Sequence, residues 1–459
     1  MLRTILNHYS DREYFSSIWK IGFPIFVQQL AFAALNMLGV VFVGQKGETA
    51  VAAVGLAGQV AFLLNLVHFG VISGAAMFTA QFWGKGDIAN LRHVLGLCLA
   101  LAVSVSLIFL ALAQFLPEGI LRIYSEDEAV ISLGADYIRT FSWTFLFFAI
   151  TFSFSMVMRS TGNVKLPTFI SVCALGISTF LSYALLFGKF GLPELGVNGV
   201  AWASVIARGL ECAALLILIY ASKSPVAGLP RELFDFDLAF VGRVIRPLMP
   251  VILNELFWSL GITTYSVIYG RMGTDSIAAI NIVGSVEQVA FTLFIAISNA
   301  TSVNVGNRIG AGKEDEAYIY AGRSLGLGFV GGIVVGILLQ VIKAPVLTLY
   351  NVSPEVIQNA SIILLVSGIF LPIRINNMTV VVGILRAGGD TKFSMFLDGI
   401  VIWIVGVPLA ALGAFVFGFP VYFVYLCAMV EEMTKWFLGL WRYRSRKWIN
   451  NLANQMDKV

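Results

Sequence analysis

The chain has 459 residues, of which 58% are hydrophobic and only 12% are charged. An average soluble domain carries roughly 25% charged residues, and a soluble fold has too little interior to bury so much apolar surface. The composition therefore excludes an ordinary soluble protein and indicates a membrane protein. The net charge of +4 is less informative than the positions of the charges.

Long apolar segments recur along the chain, each near the roughly 20 residues that a helix needs to cross the hydrocarbon core. Only helices and closed barrels satisfy their backbone groups in lipid, and these segments are too long for barrel strands. The sequence predicts an all-α polytopic membrane protein with twelve transmembrane helices. The predicted spans are 18–43, 52–82, 93–116, 132–158, 166–188, 198–221, 247–270, 278–305, 320–342, 358–385, 393–417 and 420–441.

The basic residues are distributed unevenly between the two sides of these spans. With the N-terminus placed inside, most Lys and Arg residues fall in inner loops and tails, as is typical of cytoplasmic segments. Both termini are therefore predicted to be cytoplasmic, in a chain that resides in the cell (inner or plasma) membrane. The basic tail from Trp441 to Trp448 is interpreted as an interfacial anchor on anionic lipid, and not as a nucleic-acid site.

The sequence contains an internal duplication. Residues 20–87 align without a gap on residues 246–313, at an offset of 226, and glycines match throughout. A second block, Arg159 to Lys165, repeats at an offset of 227 as Arg386 to Lys392. Because six spans separate the matched helices, the halves are parallel repeats related by an axis along the membrane normal.

The duplication predicts two homologous six-helix lobes around a central cavity. The predicted N-terminal lobe is 1–222, the cytoplasmic linker is 223–242, and the C-terminal lobe with its basic tail is 243–459. Two lobes that rock about a common seam meet the mechanical requirement of alternating access. The chain lacks the Gly-x4-Gly-Lys-Ser/Thr loop that binds ATP, so an ion gradient is the expected energy source.

Four segments resemble signatures of the multidrug and toxic compound extrusion (MATE) family. They are Asn36-Met-Leu-Gly-Val-Val-Phe-Val-Gly44, Gln81-Phe-Trp-Gly-Lys-Gly-Asp87, Gly196-Val-Asn-Gly-Val-Ala-Trp-Ala-Ser204 and Leu385-Arg-Ala-Gly-Gly-Asp-Thr-Lys392. The resemblance covers nearly the whole chain. It implies twelve helices in two lobes, a central cavity, and export of organic compounds, usually cationic and amphipathic, against Na⁺ or H⁺ influx.

The chain departs from the family pattern in its N-terminal half. The family's first helix usually carries an Asp where this chain has Gly39, and the fifth helix often carries Asn and Asp where it has Ser178 and Ser182. A threonine of the sixth helix is replaced by Ser204. Since these positions form a cation or proton site in some relatives, the loss of both carboxylates predicts that the N-terminal lobe does not carry the coupling ion.

Acidic residues are concentrated in the C-terminal spans. Ionisable side chains inside a membrane are costly and mark functional candidates. Glu211 lies in the N-terminal spans, whereas the C-terminal spans hold Glu255, Glu287, Asp398, Glu431 and Glu432. The predicted ion-coupling residues are Glu255, Asn254, Asn281 and Glu287.

Glu255 is the leading candidate for ion coupling. It aligns with the neutral Gln29 of the first repeat, and it matches a glutamate that relatives in the resembled family use for cation coupling, although the second acid of that site is missing near Ile375. Na⁺ bound beside Glu255 and a proton on its carboxylate both remain open. A structural pair of Glu255 with Arg374 or with polar groups, which would fix the helix packing, is the alternative.

A wider set of side chains is predicted to line the substrate cavity. Several candidates also have a structural interpretation. In it, Glu287 acts as a structural hydrogen-bond acceptor instead of binding an ion, Glu431 pairs with Lys435 four residues later, and His68 is a packing residue. Asp398, near the inner end of its helix, is expected to be solvated or to lie N-terminal to the helix. The predicted cavity residues are Gln29, Asn36, Asn65, His68, Trp258, Asn376, Asn377, Arg374 and Glu431.

The leading functional hypothesis is a monomeric secondary active exporter (antiporter) of small, cationic amphipathic compounds, driven by Na⁺ or H⁺ and free of cofactors. The alternative is a flippase for a lipid-linked or other anionic precursor, which the few deep basic residues, Arg374 and Lys435, disfavour. An intramembrane enzyme is excluded because the three histidines form no His-Glu-x-x-His or comparable catalytic motif.

Overall fold

The computed structural model describes residues 11–350 and 352–456, so positions 1–10, 351 and 457–459 of the predicted lobes lie outside the described residues. The described chain is mainly helical. The helices are α1 (Arg12–Gly44), α2 (Glu48–Lys85), α3 (Ile88–Phe115), α4 (Pro117–Leu121), α5 (Glu128–Phe141), α6 (Thr144–Ser160), α7 (Lys165–Phe187), α8 (Val197–Ala221), α9 (Pro230–Phe234), α10 (Leu238–Arg271), α11 (Thr274–Gly310), α12 (Glu314–Leu347), α13 (Pro354–Arg386), α14 (Thr391–Val416), α15 (Val421–Arg444) and α16 (Leu452–Met456).

The helices confirm a polytopic membrane protein. Within the described residues, 9 helices are long and apolar enough to cross a membrane, and up to 11 spans result when two bent pairs are each counted as one. The pair α5 and α6 bends by 45°, and α11 bends by 48°. The twelfth predicted span corresponds to α15, which is helical over 24 residues but carries Glu431, Glu432 and Lys435 in its middle.

Apolar side chains on the helix surfaces face outward. On α12, Val330, Val334, Ile337 and Val341 are 61%, 59%, 61% and 69% exposed. Their spacing of three and four residues puts them on one helix face. A contiguous apolar stripe of this kind would aggregate in water, so it identifies a lipid-facing surface.

The duplicated segments end in matching turns. Gly86 and Gly312, at the offset of 226, have φ of 79° and 76°, and Gly162 and Gly389, at the offset of 227, have φ of 83° and 78°. A residue with a Cβ is strained in this left-handed region, whereas glycine is not. The repeated glycines therefore stop α2, α11, α6 and α13 at equivalent points.

The described residues group into two compact units. The N-terminal unit consists of Pro24–Thr79 and Asp87–Val244, and the C-terminal unit of the residues up to Phe23, Ala80–Gly86, and Ile245 onward. A core cluster of the N-terminal unit contains Val43, Ala57, Val60, Tyr137 and Ile138. The larger cluster of the C-terminal unit joins residues of α10 to α15, including Tyr265, Ile363, Ile402 and Tyr425.

The predicted linker, 223–242, is partly helical. It contains α9 and the first residues of α10. Arg92 of α3 holds this segment, because its guanidinium donates to the carbonyl of Pro225 and lies 3.1 Å from the Glu232 carboxylate. The lobe boundaries at 222 and 243 stay a prediction.

The C-terminal tail is packed into the C-terminal unit. Trp448 is fully buried, and the Gln81 side chain donates to the carbonyl of Ala387 at 2.9 Å and accepts from the Leu452 amide at 2.7 Å. Trp441 is 58% exposed. The interpretation of the tail as a lipid anchor is therefore wrong for Trp448, because the protein itself buries that side chain.

Candidate functional site

The N-terminal unit encloses a cavity of about 420 Å³. Its walls come from α1, α2 and α5 to α8, and its apolar part is formed by Phe32, Phe141, Phe148 and Phe152. Three of the predicted cavity residues, Gln29, Asn36 and Asn65, line it. The cavity thus combines aromatic faces with polar groups, the composition typical of small-molecule sites.

His68, the fourth predicted cavity residue of this half, is not among the residues that line it. The ring is fully buried, and its Nε2 lies 2.9 Å from the Ser106 hydroxyl and 3.1 Å from the Ala102 carbonyl. The contacts agree with the alternative of a hydrogen-bonded packing residue.

The charged residues that line this cavity are two arginines and one glutamate. The Arg208 guanidinium lies 2.7 Å from one Glu211 carboxylate oxygen, and the Ser171 hydroxyl donates to the other at 2.6 Å. Arg159 donates at 2.7 Å to the side-chain oxygen of Gln28, a neutral group. With Arg208 and Glu211 compensating each other, Arg159 gives the cavity lining a formal charge of +1.

Two of the serines at positions that depart from the family pattern also line this cavity, namely Ser178 and Ser204. The Ser204 hydroxyl donates to its own helix, to the carbonyl of Val200 at 3.0 Å. Ser182 is buried, and a methyl group at Gly39 would meet no atom within 4 Å. The cavity lining at these positions therefore carries hydroxyls and no carboxylate.

In the C-terminal unit, Glu255 forms an ion pair with Arg386. The carboxylate and guanidinium approach to 2.6 Å, and the side chains are 11% and 4% exposed. The expectation that Arg374 is the structural partner of Glu255 is wrong, because Arg374 pairs with Glu287. Depth along a helix suggested Arg374, but π-helical turns from Thr379 to Arg386 alter the angular spacing of side chains in the segment that presents Arg386.

A chain of polar side chains connects α10, α14 and α15. The Asn254 amide donates to Asp398 at 3.1 Å, and Lys435 lies 3.0 Å from the other oxygen of Asp398. Lys435 also pairs with Glu431, whose second oxygen accepts from the Tyr265 hydroxyl at 2.5 Å. The predicted Glu431–Lys435 pair is observed, whereas the expectation that Asp398 is solvated is wrong.

Glu287 lies in a separate group on α11, α13 and α15. Arg374 is 2.7 Å from its carboxylate, and the hydroxyls of Tyr425, at 2.9 Å, and Ser367 donate to the same oxygen. The Arg374 guanidinium also lies over the Phe291 ring, 4.6 Å from its centroid. The full set of partners favours the hydrogen-bonding alternative for Glu287.

The remaining predicted residues of this half are dispersed. Asn377 donates to the carboxylate of Glu432 at 2.7 Å. Asn376 is buried, and Trp258 is 37% exposed. Asn281 is exposed. The predicted ion-coupling residues are therefore divided among Glu255 with Arg386, Asn254 with Asp398, Glu287 with Arg374, and an exposed Asn281.

Sequence reasoning did not select Arg386 as the partner of Glu255 or Asp398 as part of the network. The sequence did contain one indication that Arg386 is important, because it aligns with Arg159 in the second repeat block.

Within the described residues, no group of three or more His, Cys, Asp or Glu side chains could hold a metal ion.

Comparisons with known proteins agree on one family. The MatE family model matches residues 24–184 and 250–412, once in each half. The chain is 25% identical to the probable multidrug resistance protein NorM of Thermotoga maritima, over 85% of this chain and 84% of NorM. It is 23% identical to the uncharacterized transporter YisQ of Bacillus subtilis, over 97% of both.

The fold is that of solved MATE transporters. The crystal structure of the Vibrio cholerae MATE transporter VcmN in the bent form superposes with a TM-score of 0.86 at 17% identity, covering 95% of this chain and 97% of that one. Matches in both halves of the chain also agree with the duplication. The chain therefore belongs to the MATE family of membrane transporters associated with multidrug efflux, and it is not an enzyme.

Proposed function

We propose that the protein is a secondary active exporter of small amphipathic organic compounds, driven by Na⁺ or H⁺ influx and coupled through the acids of the C-terminal unit. It crosses the cell membrane twelve times, with α15 as the last span and both termini in the cytoplasm, and works by alternating access. The observation that carries the proposal is the buried Glu255–Arg386 pair at 2.6 Å, in the half that holds most of the intramembrane acids.

The pair gives the coupling step a physical basis. A proton or a Na⁺ ion that binds the Glu255 carboxylate competes with Arg386 for the same charge. When the ion binds, the Glu255 carboxylate no longer compensates the charge of Arg386, and breaking a buried ion pair is strongly unfavourable. Ion binding and release therefore change which arrangement of the surrounding helices is stable, as a coupled conformational change requires.

The N-terminal unit does not offer the same step. Arg159 there faces the Gln28 amide, which neither titrates nor carries a fixed negative charge. Glu211 is the charged acceptor in the N-terminal cavity, but its partner Arg208 is 31% exposed, so loss of this pair leaves a solvated guanidinium and not a buried charge. This arrangement supports coupling in the C-terminal unit alone.

The proposal is tested by transport in proteoliposomes that contain the full chain, with Na⁺ and pH gradients imposed separately. A fluorescent amphipathic zwitterion, which carries both charges, serves as the transported probe. The wild type should export it with one of the two gradients, whereas Glu255→Gln should abolish gradient-driven export. Glu355→Gln, an exposed acid in the first turn of α13, is the matched control and should transport normally.

Folding and insertion of Glu255→Gln are checked by size-exclusion chromatography and thermal unfolding in detergent. If this variant does not fold, the double variant Glu255→Gln/Arg386→Gln removes both charges of the pair and should restore folding without restoring transport. Wild-type rates from either folded variant would reject Glu255 as the coupling residue.

A further inference from the structure

The N-terminal cavity carries a positive charge, whereas the family resemblance implies cationic substrates. Its lining contains Arg159, Arg208 and Glu211, and Glu211 is already paired with Arg208 at 2.7 Å. A cationic compound in this cavity would meet two guanidinium groups and one compensated carboxylate. We propose that the cavity binds the anionic group of an amphipathic organic compound, with Arg159 as the principal anion-binding residue.

Arg159 is suited to this role because no acid compensates it. Its Nη2 donates to the Gln28 oxygen at 2.7 Å, while its Nε is buried without a hydrogen-bond partner. Within the described chain, no carboxylate lies within ion-pair distance of this guanidinium. A buried donor without a partner is unfavourable, and a carboxylate or phosphate oxygen satisfies it with a charge-assisted hydrogen bond.

Further donors line the same space. The Ser155 hydroxyl is buried and without a hydrogen-bond partner, and it lies one turn before Arg159 on α6. An Arg and a Ser four residues apart share one helix face. Together they provide a fork of N–H groups and a hydroxyl, which is the donor set that carboxylate, sulfonate and phosphate groups accept from.

The rest of the ligand is defined by the aromatic walls. Phe148 and Phe152 are stacked with their centroids 5.2 Å apart, and Arg208 lies over the Phe148 ring at 5.4 Å. Flat apolar groups stack well on such faces. The cavity volume of about 420 Å³ lies within the range of roughly 300–1,000 Å³ seen for small-molecule sites.

The inference rests on the proposed export function, since it names the substrate class of that exporter as organic anions or zwitterions. Compounds that carry both charges also satisfy the cationic preference that the family resemblance implies. Binding is measured in the absence of any gradient, so failure of ion coupling and failure of this subsite are distinguishable.

The test uses three probes of the same shape and different charge: 2-naphthylacetate, its neutral amide 2-naphthylacetamide, and the cation 2-naphthylethylammonium. Isothermal titration calorimetry of the full chain in detergent should give at least about tenfold tighter binding of the carboxylate than of the amide, and the weakest binding for the cation. Tenfold corresponds to about 1.4 kcal/mol, near the lower limit for a charge-assisted hydrogen bond.

Arg159→Gln should remove the preference for the carboxylate and leave the affinity for the amide unchanged. Lys165→Gln removes an equal charge from an exposed side chain of the same repeat block, which is not among the cavity residues, and should keep the preference. Equal binding of carboxylate and amide by the wild type, or a preference that survives Arg159→Gln, overturns the proposal.

A phosphate-bearing lipid is the other source of such an anion. Dodecyl phosphate and inorganic phosphate are therefore titrated alongside the naphthyl probes. Arg159-dependent binding of dodecyl phosphate, together with absence of naphthylacetate binding, would overturn the assignment to soluble organic anions and identify a lipid headgroup site. Arg159-dependent binding of naphthylacetate supports the proposal.

Discussion

Arg159 and Arg386 occupy equivalent positions in the two repeats but bind partners of different charge. Arg159 donates to the amide oxygen of Gln28 at 2.7 Å, and Arg386 pairs with the carboxylate of Glu255 at 2.6 Å. In the alignment of the repeats, Glu255 corresponds to Gln29, the residue next to Gln28. The two halves thus keep the arginine and differ in whether a carboxylate compensates it.

The difference is the physical basis of the two roles that we propose for the duplicated scaffold. The turns that end the matched helices are the same in both halves, with Gly162 and Gly389 at φ of 83° and 78°. Backbone geometry is therefore retained while side-chain charge diverges. A carboxylate can exchange an arginine for a proton or Na⁺, whereas an amide cannot, so the N-terminal arginine stays available to an anion and the C-terminal one does not.

The most severe test of the C-terminal network is Lys435→Met. Lys435 is 3% exposed, and it pairs with both Asp398 and Glu431. Its removal leaves two buried carboxylates without their cation. Loss of one partner of a buried pair costs about 3–5 kcal/mol, and we expect at least this decrease in the free energy of unfolding, measured by denaturant titration in mixed micelles.

The triple variant Lys435→Met/Asp398→Asn/Glu431→Gln controls for the charge itself. It removes the two acids together with the lysine and should recover most of the lost stability, because neutral buried groups are much less unfavourable than charged ones. If Lys435→Met alone unfolds like the wild type, the network does not require its cation, and the contrast with the N-terminal half disappears.

The repeated arginines provide the next largest difference. Arg386→Gln leaves Glu255 buried without its cation and should lower the free energy of unfolding by about 3 kcal/mol. Arg159→Gln loses a charge-assisted hydrogen bond to a neutral amide and should cost about 1.5 kcal/mol. Thermal unfolding of both variants in one detergent measures the difference, and equal losses would contradict the distinction between the two halves.

The sequence predicted the asymmetry and the Glu431–Lys435 pair, but not the partner of Glu255. Counting charged residues within apolar segments correctly assigned Glu211 to one half and Glu255 to the acid-rich half. The pairing of Glu255 with Arg374 was wrong. A rise of about 1.5 Å per residue gives depth along a helix, but the direction of a side chain around the helix axis decides its partner.

Non-local packing also explains the error at the tail. The segment from Trp441 to Trp448 has the composition of a membrane-interface anchor, yet Trp448 is fully buried, and a Cβ at Gly388 would overlap its ring. Position Gly388 is distant in sequence and gives no local signal. By contrast, the helices and the membrane class follow from local patterns, and these were predicted.

Gln29→Glu should make the N-terminal cavity resemble the C-terminal half. Gln29 lines the cavity, and a carboxylate there brings the formal charge of the lining from +1 to zero. We expect the affinity for 2-naphthylacetate to fall about tenfold, which corresponds to about 1.4 kcal/mol, while the amide binds as before. Calorimetry of Gln29→Asn, which keeps the charge, is the control and should retain the carboxylate preference.

The smallest effect is expected at an exposed pair of the N-terminal unit. Lys46 lies 2.6 Å from Glu194, which is 58% exposed, and its hydrogen bond and charge lower the pKa of Glu194. A lowered folded-state pKa contributes stability that is present above the unfolded value, about 4.3, and is lost as the pH falls through the folded value. Water screens such a pair strongly, so Lys46→Ala should lower the unfolding temperature slightly at pH 7, and the difference from wild type should disappear below about pH 4.

Lys189→Ala is the control. The charge of Lys189 acts on Glu194 less than that of Lys46, so this variant should show a smaller difference from wild type. A larger loss than for Arg386→Gln would mean that burial does not decide the strength of these pairs, and the contrast between the two halves would then need another cause.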